Sequence, residues 1–158
     1  METGIRVGDV MTRSLVMIKE DASIFDIAKL MKKRAVGSVL VKDKAGKIYG
    51  IVTERDLVWK VLAIGKTKAN AKSLASKPLL CLSEKADISE AARLMGKRNR
   101  KRLVITRDSK IVGVLSEKDV IKLSPSLYDL IVEEQRSGFK PEYRKQVEEA
   151  RKATLLPD

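Results

Sequence analysis

Apolar positions along the chain fall into one order of elements, and that order occurs twice. In the first half Leu15 to Ile18 is a short extended run. Ile24, Ile27, Ala28, Leu30 and Met31 then recur at helical spacing and predict one apolar helix face. Val39-Leu40-Val41 and Ile48 to Val52 read as strands on either side of the polar turn Asp43-Lys44-Ala45-Gly46, and a second helix begins near Thr53. The second half repeats this with Leu79 to Leu82, then Ile88, Ala91, Ala92, Leu94 and Met95, then Leu103-Val104-Ile105, the turn Arg107-Asp108-Ser109, Ile111 to Leu115, and a helix from near Ser116. Ser23 with Asp26, and Asp87 with Glu90, have the spacing of a capping box that opens each first helix.

The two halves align residue by residue. Glu20 to Met31 lies over Glu84 to Met95 at an offset of 64, and Lys47 to Leu57 lies over Lys110 to Val120 at an offset of 63. One residue is lost in the intervening turn, where a deletion costs least. The pattern predicts an α/β (α+β) fold of two βαββα units. One unit alone leaves a face of its three-stranded sheet uncovered, so the two are expected to pack about a pseudo-twofold axis into one body. The expected boundaries are 7–62 and 71–123, with Ala63 to Ala71 as a linker. Residues 124–158 have no counterpart in the repeat. Leu127, Leu130, Ile131, Val147, Ala150 and Leu155 predict a helical extension interrupted at Gly138 and Pro141, suited to packing, dimerisation or docking on a partner protein.

Charge and composition narrow the chemistry. The 158 residues carry 33 Lys plus Arg against 21 Asp plus Glu, a formal charge of +12, which favours phosphate-bearing small molecules or nucleic acid as partners. A well-solvated surface is the plainer account of the same charge. Cys81 is the only cysteine and there is no histidine, which excludes an internal disulfide, the usual Cys/His zinc sites and histidine-based catalysis within the chain. No phosphate-cradling Gly-x-x-x-x-Gly-Lys-Ser/Thr loop, helix-turn-helix or paired acidic motif is recognisable. Glu54 and Glu117, each just after a helix-opening Thr or Ser, are expected to point outward. No apolar run is long enough for a membrane span, and Met1 to Gly8 lacks the stretch of a signal peptide. The expectation is a cytoplasmic protein that is not an enzyme, holds no metal and does not engage a membrane.

The tandem order strand, helix, strand, turn, strand, helix closes on Gly50-Ile51-Val52-Thr53-x-x-Asp56 in one copy and on Gly113-Val114-Leu115-Ser116-x-x-Asp119 in the other. With Val10-Met11-Thr12 near the start and Arg102-Leu103 before the second middle strand, it resembles the cystathionine-β-synthase (CBS) domain family over roughly Val7 to Leu123. The resemblance implies a tandem pair with two clefts between its repeats. It implies adenosine-containing regulatory ligands in them (AMP, ADP, ATP or S-adenosylmethionine) with no cofactor required. It further implies a homodimer and action on a partner protein.

The candidate site follows from that resemblance. Thr53 with Asp56, and Ser116 with Asp119, match family positions that contact phosphate and ribose. An Asp carboxylate can accept both hydroxyls of a ribose, and a hydroxyl at a helix start can receive a phosphate oxygen. The same spacing describes a plain helix cap, and both accounts stand at this point. Lys101, Arg102 and Lys118 match positions whose basic side chains reach phosphates, and Lys101 and Arg102 are expected to serve the cleft anchored by Asp56. A solvated basic loop is the alternative for these cations. Val16, Met17 and Ile18 with Val36, and in the second copy Leu80, Cys81 and Leu82, are the candidates for an adenine slot, or else ordinary core. Nucleic-acid binding through the basic surface, with or without control by a ligand, is the competing function and predicts a steep dependence on salt.

Overall fold

The computed structural model describes residues 2–123 and 132–133. The expected helical extension, 124–158, lies otherwise outside the described residues. In chain order the elements are α1 (Val7–Val10), β1 (Met17–Lys19), α2 (Ile24–Arg34), β2 (Ser38–Lys42), β3 (Ile48–Thr53) and α3 (Glu54–Lys60). A 3-10 turn (Leu62–Ile64) follows, then α4 (Ala71–Leu74), β4 (Cys81–Ser83), α5 (Ile88–Arg98), β5 (Arg102–Arg107), β6 (Lys110–Ser116) and α6 (Glu117–Leu123). The fold is the mixed α and β architecture anticipated from the repeat, with two three-stranded sheets ordered β1-β2-β3 and β4-β5-β6.

Each sheet is built alike. The short first strand runs parallel to the middle strand and the third runs antiparallel to it. A first helix, α2 or α5, joins the parallel pair. Because side chains alternate along a strand, Val39 and Val41 enter the core beneath α2 while Leu40, between them, faces the other repeat. Helix α2 opens with the predicted box: Ser23 Oγ accepts from Asp26 N–H at 3.1 Å and Asp26 Oδ2 accepts from Ser23 N–H at 3.1 Å. It buries Ile24, Ile27 and Met31. Ala28, on the rim of that stripe, is exposed, whereas its counterpart Ala92 is fully buried.

Helix α5 starts differently from expectation. Asp87 caps it by accepting from Ser89 N–H at 2.8 Å and Ser89 Oγ–H at 2.6 Å, and Glu90 is left exposed. Serine two residues on reaches the carboxylate sooner than a box with Glu90 can form. The other oxygen of Asp87 accepts from Thr3 N–H and Gly4 N–H, each at 2.9 Å, which ties the start of the chain to the second repeat. Both long helices end in a left-handed residue, Asn99 (φ 48°) and Ala35 (φ 51°). Asparagine tolerates that region; alanine does so at a cost of about 1 kcal/mol.

The segments leading into the repeats are exchanged. Residues 5–12 belong to repeat 1 by sequence but pack on repeat 2. Val7 N–H donates to Ala86 O and Gly8 N–H to Glu84 O, both at 2.9 Å, and Thr12 pairs with Val114. Val7 and Met11 fill the core made by α5, β5 and β6. Reciprocally, Ala71 N–H donates to Ala22 O at 2.9 Å, Lys72 N–H to Glu20 O at 2.8 Å, and Ser76 pairs with Ile51. Ala69, Ala71 and Leu74 complete the core of repeat 1. The stretch read as a linker, Ala63 to Ala71, therefore ends in core: Ala69 and Ala71 are buried, because each sheet and its helix leave a gap that only the other copy's leading segment fills. The motif glycines lie under these crossings. A Cβ at Gly50 would stand 2.8 Å from Ala75 Cβ, and one at Gly113 would strike the Met11 thioether.

Candidate ligand cleft between the repeats

Each repeat delivers its third strand into a short helix through the same turn. Thr53 Oγ1 accepts from Asp56 N–H at 3.3 Å, and Asp56 Oδ2 accepts from Thr53 N–H at 2.8 Å and from the Thr53 hydroxyl at 2.9 Å. Ser116 and Asp119 repeat this, with Asp119 Oδ2 accepting from Ser116 N–H at 2.9 Å and from its hydroxyl at 2.6 Å. The first helical amide also crosses to the start of the middle strand, Glu54 N–H to Gly37 O at 3.1 Å and Glu117 N–H to Lys101 O at 2.8 Å. Both turns are thus helix caps, and both hold their carboxylate in a fixed orientation.

The carboxylates differ in what is left over. Oδ1 of Asp56 is paired with Lys60 Nζ at 2.7 Å, and Asp56 is buried. Oδ1 of Asp119 has no partner among the described residues, and Asp119 is half-buried on the wall of a cavity of about 650 Å³. That volume is within the range of small-molecule sites.

The cavity is built by both repeats. Repeat 1 gives Val16, Val36 and Leu40 as an apolar side; repeat 2 gives Ser116, Asp119, Val114 and the cations Lys101, Arg102 and Lys118. The crossing segment supplies Thr12 and Ser14, and α3 supplies Glu54, Arg55 and Trp59 at one end. Arg55 lies over the Trp59 ring, 3.8 Å from its centroid. Lys101 Nζ stands 3.7 Å from Glu117 Oε2, whose side chain is largely enclosed. Arg102 and Glu54 both fill the space that the missing Cβ of Gly37 leaves. Among the described residues four cations and three carboxylates thus line one groove together with Val16, Val36 and Leu40.

Several expected residues converge here and others do not. Val16, Val36, Lys101, Arg102, Ser116, Lys118 and Asp119 line the cavity; Thr53 and Asp56 do not. Lys101 and Arg102 therefore stand with Asp119, not with Asp56 as expected, because β5 and α6 are neighbours within one repeat. Met17 is exposed, and Ile18, one residue along the strand, points into the core of repeat 1. Leu80 and Leu82 pack on the core of repeat 2. Cys81 is exposed, and partial burial raises its thiol pKa above the ordinary value. Glu54 and Glu117, expected to point outward, line the cavity instead. Thr12, Ser14, Arg55 and Trp59 were missed, since nothing local in the sequence reveals the exchanged segment or the end of the groove. Among the described residues no group of three or more His, Cys, Asp or Glu is placed to hold a metal ion, and no helix is long and apolar enough to cross a membrane.

Two copies of one βαββα unit with a groove between them define a tandem repeat pair. The sequence model of the CBS domain matches residues 7–63 and again 71–126, and the chain belongs to that family. It is 31% identical over 135 residues to an uncharacterized protein of Methanopyrus kandleri, covering 84% of this chain and 69% of that one. Among solved structures it is similar to an uncharacterized conserved protein from Pyrococcus horikoshii, with a TM-score of 0.73, 24% identity, and coverage of 78% of this chain and 95% of that one. It is also similar to a CBS domain pair solved in complex with 5′-methylthioadenosine and S-adenosyl-L-methionine, with a TM-score of 0.70, 23% identity, and coverage of 77% and 97%.

Proposed function

We propose that this chain is a regulatory sensor that binds an adenosine-containing small molecule in the groove between its repeats and carries no catalysis of its own. The observation that carries the reading is Oδ1 of Asp119, without a partner among the described residues, on the wall of a cavity of about 650 Å³ that Val16, Val36 and Leu40 also line. A carboxylate fixed by its own cap can accept a sugar hydroxyl at little entropic cost, because the ordering has already been done by folding. Val16, Val36 and Leu40 offer the apolar surface a purine needs, and Lys118 and Arg102 offer cations for a phosphate. The related pair that holds 5′-methylthioadenosine and S-adenosyl-L-methionine supports the adenosyl class.

The groove draws its walls from both repeats and from the exchanged segment, so a bound ligand biases how those parts sit together. A ligand can shift such an equilibrium only by its differential affinity for the two arrangements. Val58, Trp59, Leu62 and Ile64 form an exposed apolar face along α3 and the turn beyond it, with Leu62 and Ile64 72% and 68% exposed. In a chain this charged, such a face suits self-association or a partner protein, and the reading includes a homodimer through it.

The test is a thermal-shift series with AMP, ADP, ATP and S-adenosylmethionine at low and high salt, on wild type and Asp119→Asn. A ligand at 100 times its Kd stabilises by about 2.7 kcal/mol. The reading expects a saturable shift from at least one adenosyl compound at both salts, lost in Asp119→Asn. Stabilisation only by polyanions, vanishing at high salt and indifferent to Asp119, would make the basic surface the binding element and favour nucleic acid.

A further inference from the structure

We propose that Lys60 permanently closes one of the two pseudo-equivalent clefts, so that the chain takes a single ligand, at Asp119. The inference rests on the reading of the groove as an adenosyl site and goes beyond it by assigning its stoichiometry and the residue that sets it.

The repeat makes the comparison internal. Asp56 and Asp119 are equivalent, and their caps are the same to within a few tenths of an ångström. Four residues on, the copies part: repeat 1 has Lys60 where repeat 2 has Leu123. The Lys60 ammonium takes the remaining oxygen of Asp56 at 2.7 Å, donates to Leu74 O at 3.0 Å, and reaches Ser76 Oγ at 3.5 Å. An ammonium has three N–H groups, and here each has an acceptor. An isolated half-exposed ion pair would be worth little; one whose donor is also held by a carbonyl and a hydroxyl is harder to displace.

Two of the three groups that Lys60 touches, Asp56 and Ser76, have counterparts on the wall of the open cavity. Ser76 is the equivalent of Thr12, since Ser76 pairs with Ile51 as Thr12 pairs with Val114. Thr12 lines the cavity beside Asp119. At the Asp56 end the same place holds the ammonium. A sugar hydroxyl arriving there meets a carboxylate with both oxygens engaged and a cation that must first be moved; at Asp119 it meets an acceptor without a partner among the described residues. Lys60 thereby makes permanently, between α3 and the exchanged segment, a tie that the other half is left to make with ligand.

Calorimetric titration of AMP, ATP and S-adenosylmethionine, each separately, decides the matter. Wild type is expected to bind the active compound with a stoichiometry of one per chain, unaffected by Asp56→Asn and lost in Asp119→Asn. Lys60→Met, which keeps the stem and removes the charge, is expected to raise the stoichiometry to two. Leu123→Lys, which puts a lysine at the exposed position equivalent to Lys60, is expected to weaken wild-type binding by about tenfold or more. Two sites in wild type, a site lost on Asp56→Asn, or unchanged affinity in Leu123→Lys would each overturn the assignment while leaving the adenosyl reading intact. No binding of any of the three by wild type, Lys60→Met or Leu123→Lys defeats the adenosyl reading and this assignment with it.

Discussion

Leu74→Ala is the sharpest test of the exchanged packing. By sequence Leu74 sits a few residues past a lysine-rich linker; in the structure it is 2% exposed and completes the core of repeat 1. The substitution removes three buried carbons, about 2.4 kcal/mol at roughly 0.8 kcal/mol per methylene. The void left behind adds about 1 kcal/mol where neighbours relax only in part. The expected loss is therefore about 3 kcal/mol, which moves a urea midpoint by about 1.5 M at an m-value near ~2 kcal/mol/M. Far-ultraviolet circular dichroism follows the transition. Ile64→Ala, in the same stretch but 68% exposed, is the control and is expected to cost less than about 0.5 kcal/mol. A Leu74→Ala midpoint within error of the Ile64→Ala midpoint would refute the exchange of leading segments.

Three further outcomes follow from particular residues. Ala35→Gly relieves a left-handed alanine at φ 51° and is expected to stabilise by up to about 0.5 kcal/mol after the extra freedom of glycine in the unfolded chain, read as a raised melting temperature. Gly50→Ala sets a methyl 2.8 Å from Ala75 Cβ, and Gly113→Ala sets one against the core-packed Met11 thioether and 3.0 Å from Thr12 O; each is expected to cost about 1–3 kcal/mol in denaturant unfolding. Asp87 is held below the ordinary carboxylate range, first by the Ser89 hydroxyl and then by the Ser89 amide and Thr3. Its folded pKa is depressed, so its contribution is complete above the unfolded value of about 3.9 and is lost as pH falls through the folded one. Wild type should exceed Asp87→Asn in stability at pH 6, with the gap narrowing below about pH 4 in acid-unfolding curves.

The architecture was legible because the repeat supplied it twice. Strand and helix periods in one copy checked those in the other, and Ser23 with Asp26 opened α2 as their spacing required. Exchange of the leading segments was not legible, since Val7, Met11 and Leu74 are apolar residues with no periodic context, and only the shape of the gap they fill assigns them. The site was half legible. Asp119, Ser116, Lys101, Arg102, Lys118, Val16 and Val36 meet in one cavity, although Lys101 and Arg102 were expected at the Asp56 cleft. Asp56 matches the same motif yet is engaged by a side chain four residues away, so motif identity and availability are separate properties. Of Val16, Met17 and Ile18 only Val16, which precedes β1, lines the groove: Met17 is exposed and Ile18 packs in the core of repeat 1.

A crystal structure grown at saturating concentrations of an adenosyl compound that shifts the melting temperature tests the central claim most directly. The account predicts ribose density with a hydroxyl within hydrogen-bond distance of Asp119 Oδ1 and a purine against Val16 and Val36. A groove empty of ligand at full saturation, or the compound seated elsewhere with Asp119 untouched, would contradict it.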